Sequence, residues 1–141
     1  HAEEVDEETF FYSRQSGGTV VSTALEKMLE VQEERYPAQE WNIYVAQASD
    51  GFTQSGDAKR CVEILDEAVM PISQYYAYIE ILDEREMDVF SDPDAGAELW
   101  RAYRSISDPR FAQTRIAHPR DIFPVFRELF AKERQGTGKA A

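Results

Sequence analysis

The sequence has one cysteine, Cys61, in 141 residues. A lone thiol closes no internal disulfide and builds no thiolate metal site by itself, and this usage suits a reducing compartment, so the cytoplasm is expected. Long apolar runs are also missing. No uninterrupted stretch approaches the roughly 20 residues that span a bilayer, and the N-terminus lacks the basic region followed by an apolar stretch that marks a secretory signal. No membrane partner is expected. Basic side chains are scarce too: 15 Lys and Arg stand against 27 Asp and Glu, a formal net charge of −12. That balance repels phosphate backbones and anionic lipid, so nucleic acid is not an expected partner. With 43% hydrophobic residues, the chain is long enough for one buried core and too short for two ordinary domains.

The chain opens on His1-Ala2 rather than Met and runs directly into Glu3, Glu4, Val5, Asp6, Glu7 and Glu8, which reads as part of a longer protein. Its charge is uneven. Residues 1–100 hold 6 basic and 23 acidic side chains, whereas 101–141 hold 9 basic and 4 acidic. Solvated helix surfaces account for such asymmetry in a layered α/β domain. No internal repeat is present. The stretch 135–141, Gln135-Gly136-Thr137-Gly138-Lys139-Ala140-Ala141, has nothing to pack with and is expected to fray, leaving 1–134 as the domain.

Two kinds of segment alternate along that domain. Thr9-Phe10-Phe11-Tyr12 reads as a strand or strand end. Gly17-Gly18 breaks the chain, and Thr19 opens an amphipathic helix to about Glu34, with Val21, Leu25, Met28 and Gln32 on one stripe. Trp41 to Ala48 is apolar on both alternations, as in an interior strand covered on both faces. A helix fits Asp57 to Val69 with Cys61, Ile64, Leu65 and Ala68 inward, and Tyr75 to Leu82 reads as a second buried strand. An acidic loop, Asp83 to Asp94, precedes a helix over Ala97 to Ile106. A weaker, edge-type strand over Phe111 to Ala117 and a helix over Ile122 to Arg134 follow. The order implies a three-layer α/β fold with a mainly parallel, Rossmann-like sheet.

Ligands of open α/β sheets sit beyond the carboxyl ends of the strands, so the loops there are searched first. Ser16-Gly17-Gly18-Thr19 lets backbone and a hydroxyl approach a ligand at a helix start, although Thr19 also suits a plain N-cap. Ser49-Asp50-Gly51 puts a carboxylate at the tip of a strand, although Asp-Gly is also a common turn pair. A hydroxyl and a carboxylate from adjacent loops at one sheet edge are oxygen ligands of the kind a hard cation such as Mg²⁺ accepts.

Gly17-Gly18-Thr19-Val20-Val21-Ser22-Thr23-Ala24-Leu25 resembles the Gly-Gly-Thr, four residues, Ala-Leu signature of von Willebrand factor A domains, and Ser49-Asp50-Gly51 resembles their (Thr/Ser)-Asp-Gly element. That resemblance implies a metal-ion-dependent adhesion site with Thr19 and Asp50 as metal residues, its loops shaped by Gly17, Gly18, Ser49 and Gly51. The first loop of such sites, Asp-x-Ser-x-Ser, does not occur in the sequence, and Phe52, Thr53 and Gln54 stand where more acidic and Trp character is expected. Both the first strand, which is central in these domains, and the principal ligands are lacking, so weak metal binding and an uncovered sheet edge are expected. An open edge favours homo-oligomerisation or strand borrowing.

A fuller resemblance is to the YeaH/YhbH family of bacterial proteins of unknown function. It is carried by Glu4-Val5-Asp6-Glu7, Phe10-Phe11-Tyr12-Ser13, Trp41-Asn42-Ile43-Tyr44, Ala46 to Gly51, Tyr78-Ile79-Glu80-Ile81 and Asp121 to Phe130. Members are longer, with their A-like domain at the C-terminal end, and the chain looks like that end. The resemblance implies a stress or sporulation setting and association with a PrkA-type serine kinase and a SpoVR-like protein. The function expected is a non-enzymatic protein-interaction module whose Mg²⁺ completes its coordination with a partner's carboxylate. The alternatives are a Mg²⁺-dependent hydrolase or phosphotransferase using Asp50, and a metal-free scaffold.

Other candidates fall short on spacing. Gly136-Thr137-Gly138-Lys139 is followed by Ala140 and lacks the phosphate-loop frame. His118 has no second histidine or cysteine at zinc-ligand spacing. Cys61 on an inner helix face is expected to behave as a small apolar residue. Ser49 has no nucleophile elbow and no assigned histidine partner. The acidic stretch from Asp83 lacks the alternation and central glycine of a calcium loop. Trp100, Tyr103, Phe126 and Phe130 read as core.

Overall fold

The computed structural model describes residues 2–12, 20–90, 92 and 95–138. A short α1 (Glu7–Tyr12) and the longer α2 (Val21–Arg35) precede β1 (Ile43–Ser49). Next come α3 (Asp57–Ile64), a π-helical turn over Leu65–Val69, a 3-10 turn over Met70–Ile72, and β2 (Ser73–Ile81). α4 (Glu84–Val89) and α5 (Glu98–Tyr103) lead to β3 (Phe111–Ile116), and after a 3-10 turn over Pro119–Asp121 the described chain ends with α6 (Ile122–Gly138).

The three strands form a parallel sheet in the order β1-β2-β3. β2 is central and buried from Tyr75 through Glu80, which is why its sequence is apolar on both alternations. The register stacks residues in rows across one face: Val45, Tyr76 and Phe111, then Gln47, Tyr78 and Gln113, then Ser49, Glu80 and Arg115 at the carboxyl ends. α2, α3 and α5 cover this face with Val21, Leu25, Cys61, Ile64, Leu99 and Tyr103. Aromatic rings bring the largest buried areas, and here they meet edge-on: Tyr78 and Tyr103 at 4.9 Å, Tyr103 and Phe111 at 5.7 Å. Gln47 Oε1 accepts from the buried hydroxyls of both Tyr76 and Tyr103, which keeps two phenols satisfied inside an apolar layer. α6 lies on the opposite face, where the Phe130 ring is 5.5 Å from Tyr75 and 6.1 Å from Tyr44. The result is a three-layer α/β arrangement, compatible with a Rossmann-like fold. None of the described helices is long and apolar enough to cross a membrane.

Three expectations are corrected. Residues 9–12 belong to helix α1, because the Asp6 side chain accepts from Thr9 N at 2.8 Å and fixes a helical start. Among the described residues the segment 41–48 is an edge rather than an interior strand, β1 pairing with β2 alone. Its residues alternate between half-buried and exposed, with Tyr44 50% exposed. The acidic stretch contains α4, opened by a capping box in which Asp83 accepts from Glu86 N and the Glu86 side chain accepts from Asp83 N. α6 runs to Gly138, and 139–141 lie outside the described residues.

α2 and α3 are tied at their first turns. Asp57, the first residue of α3, accepts from Ser22 N at 3.1 Å, from Thr53 Oγ1 at 2.6 Å and from the Ser22 hydroxyl. Burial opposes its charge, but the bonds from Ser22, Thr53 and Cys61 outweigh it and hold the carboxyl below the usual aspartate range. A depressed carboxyl contributes stability that is full above its unfolded pKa and is lost as pH falls through the folded one. Asp57→Ala is therefore expected to cost about 2–4 kcal/mol at pH 7 in urea unfolding. The gap between variant and wild type should close below about pH 4.

Candidate functional site

β1 ends in a turn whose side chains bond its own backbone. Ser49 Oγ accepts from Gly51 N at 3.0 Å, and Asp50 Oδ1 accepts from Phe52 N at 3.0 Å. This local bonding is what Ser and Asp do at turns. It leaves the Asp50 carboxylate exposed at the carboxyl rim of the sheet. Gly51 has φ +85°, and its carbonyl accepts from Leu99 N at 3.3 Å. A Cβ there would lie 2.0 Å from Glu80 Oε1 and 2.8 Å from Ala97 Cβ, so both conformation and space require glycine.

Beneath the turn lies a buried ion pair. The Glu80 side chain is 0% exposed and that of Arg115, beside it in register, 9%, with Arg115 Nε donating to Glu80 Oε2 at 3.0 Å. Arg115 also donates to the carbonyls of Phe90 (3.1 Å) and Ala95, and stacks 4.0 Å from the Trp100 ring centroid. Every face of the guanidinium is thus used. Glu80 Oε1, in contrast, makes no hydrogen bond, nor does the buried Tyr78 hydroxyl one row back. That hydroxyl lies close to both Ser49 and Glu80 and favours the charged form of the Glu80 carboxyl. Burial pushes the Glu80 carboxyl above its usual range and the Asp50 charge adds to the rise, while Arg115 and Tyr78 work against it.

The first turn of α2 faces the same loop. Val21 N donates to Thr53 Oγ1 at 3.1 Å, three residues beyond Asp50, and Ser22 is held by Asp57. The helix therefore opens at Val21 after Val20 at the N-cap, rather than at Thr19, and its free amides are met by side chains of the next loop. Thr19, Gly17 and Gly18 lie outside the described residues, as does Asp94. Ser49, Asp50 and Gly51 are brought together as one turn. Glu80 and Arg115 were not singled out from the sequence, although a carboxylate inside the apolar run Tyr75 to Leu82 was a signal. Cys61 is buried, and burial with the nearby Asp57 charge pushes its thiol up to about 12, so it is inert as a nucleophile near neutrality. His118 pairs with Glu84 at 3.2 Å. The described residues form no group of three or more His, Cys, Asp or Glu able to hold a metal. Asp50 and its hydroxyl neighbour are oxygen donors of the kind Mg²⁺ takes, but they amount to part of a coordination shell.

Gly51→Ala is expected to cost about 2 kcal/mol or more, from the left-handed backbone and the displaced carboxylate together, read as a lowered thermal midpoint. The raised Glu80 carboxyl has the opposite linkage to Asp57: the folded state holds its proton more tightly, so stability falls as pH rises above the unfolded value near 4.3. Urea midpoints measured from pH 4 upward should decline more for the wild type than for Glu80→Gln.

The comparisons with known proteins agree on kinship and leave activity open. The chain is 63% identical over 134 residues to the UPF0229 protein R01398 of Rhizobium meliloti (strain 1021), covering 94% of the chain and 31% of that relative. It is 59% identical to a UPF0229 protein of Nitrobacter hamburgensis, and 49% identical to one of Legionella pneumophila (strain Corby). Each of these two matches covers 94% of the chain and 30% of the relative. The chain thus spans under a third of the length of the curated relatives it matches. No solved structure matches it. A family model described as "Protein of unknown function (DUF444)" matches residues 1–133, and the chain belongs to that uncharacterised bacterial family.

Proposed function

We propose that this segment is a protein-interaction module rather than an enzyme, built as a von Willebrand A-like domain with a cation site at the carboxyl rim of its sheet. The observation that carries the reading is the juxtaposition at that rim. The first turn of α2, which follows the Gly17-Gly18-Thr19 segment in sequence, bonds through Val21 N to Thr53 and through Ser22 N to Asp57, in the stretch that follows the Asp50 turn. Asp50 would supply a carboxylate and Thr19 a hydroxyl, directly or through water, to a Mg²⁺ whose remaining position accepts a carboxylate from a partner protein. Further ligands would come from the part of the longer relatives that lies outside this segment, and so would a strand for the open edge of β1. Among the described residues β1 pairs with β2 alone, and an open edge of this kind is a site where a further strand can add.

Isothermal titration of the full-length protein with Mg²⁺ tests this. Saturable binding is expected in the wild type, with at least a tenfold loss in Asp50→Ala. Equal behaviour of the two proteins would leave a metal-free scaffold.

A further inference from the structure

Two helical connections cross the sheet in the same direction. α3 leads from β1 to β2 and α5 from β2 to β3, and both lie on one face, as crossovers of a single hand must when the strands follow in the order β1-β2-β3. α2 lies on that face too, tied to α3 through Ser22 and Asp57, and it is the helix that leads into β1. A helix entering β1 on this face with the same hand arrives from the side of β1 away from β2. Among the described residues that side holds no strand. The other face of β1 is uncovered as well: Tyr44, Ala46 and Ala48 are exposed there, whereas their register partners Tyr75, Ala77 and Ile79 on β2 are buried on the face where α6 lies. β1 carries no charged side chain and no proline, the devices that keep a true edge from pairing.

We propose that β1 is an interior strand of the longer protein: its outer edge pairs with a parallel, apolar strand, and a helix covers Tyr44, Ala46 and Ala48, both supplied by the same polypeptide outside this segment. Parallel pairing follows from α2, because a helix is the usual link between parallel strands. The relatives have the length for it, since the chain covers 31% of the Rhizobium meliloti protein. A second copy is the poorer occupant: two segments of formal charge −12 repel, whereas a tethered element is held beside β1 at high effective concentration. Of the reading above, the inference rests only on the cover of β1 by the longer protein and needs no cation.

The test uses the full-length protein. Hydrogen exchange resolved to single amides should find residues 44–49 protected alike, whereas an open edge leaves every second amide without a partner and exchanging about a hundredfold faster or more. Ala48→Cys reports on the face: its labelling by a maleimide is expected to be slower by about a hundredfold than that of Glu33→Cys on the exposed side of α2, with the buried Cys61 silent in both. Both protections should be unchanged on roughly hundredfold dilution, as an intramolecular cover requires. Fast exchange at alternate amides, or Ala48→Cys labelled as quickly as Glu33→Cys, would overturn the proposal. So would protection that disappears on dilution, which gives the cover to a second copy. Should Ala48→Cys not fold, Ala46→Cys carries the same expectation and the same refutation. Mg²⁺ enters neither readout, so loss of the cation site leaves this inference standing, and an uncovered β1 leaves the Mg²⁺ titration to stand on its own.

Discussion

The pairing of Glu80 with Arg115 is the constraint around which the rim is arranged. β2 is covered on both faces, so a carboxylate near its end has no water to turn to, and truncating either partner of such a pair commonly costs about 3–5 kcal/mol. The answer is built from three directions at once. Register brings Arg115 alongside, the chain between β2 and α5 offers two carbonyls, and Trp100 lends the face of its ring. Gly96 completes the fit: a Cβ there would stand 1.9 Å from Arg115 Nη2, so the connection passes close only because that residue is glycine.

Those contacts give the Asp50 turn its setting. Its own hydrogen bonds are local and would travel with it, whereas Leu99 N belongs to α5 and, by donating to the Gly51 carbonyl, locates the turn against that helix. On the neighbouring side, Asp57 joins α2 to α3 and draws the first turn of α2 to the loop that follows Asp50. Two acidic residues thus organise the rim from within, and a third, Asp50, is left facing water.

Much of this was legible in the residues. The uninterrupted apolar character of Tyr75 to Leu82 announces the central strand, the glycine and proline punctuation places the long helices, and Ser49-Asp50-Gly51 marks a turn at a strand tip. Strand rank was less legible: Trp41 to Ala48 has an interior composition, but what decides the matter is which neighbours it pairs with, and among the described residues β1 pairs on one side only. The helical state of residues 9–12 turned on one Asp6 cap that outweighed the β propensity of aromatic residues. α4 was hidden because its capping pair, Asp83 and Glu86, sits within a run of charges. Glu80 and Arg115 lie 35 residues apart, and their meeting is a matter of register that no local pattern encodes.

The unpaired side of β1 bears on how copies of the segment behave toward one another. Tyr44 and nearby Trp41 and Phe52 are open to solvent there, and copies of formal charge −12 repel one another. Repulsion of that origin fades as ionic strength rises or carboxylates take up protons. Any pairing of copies through this strand would therefore depend on salt and acidity, although the strand itself carries no charged side chain.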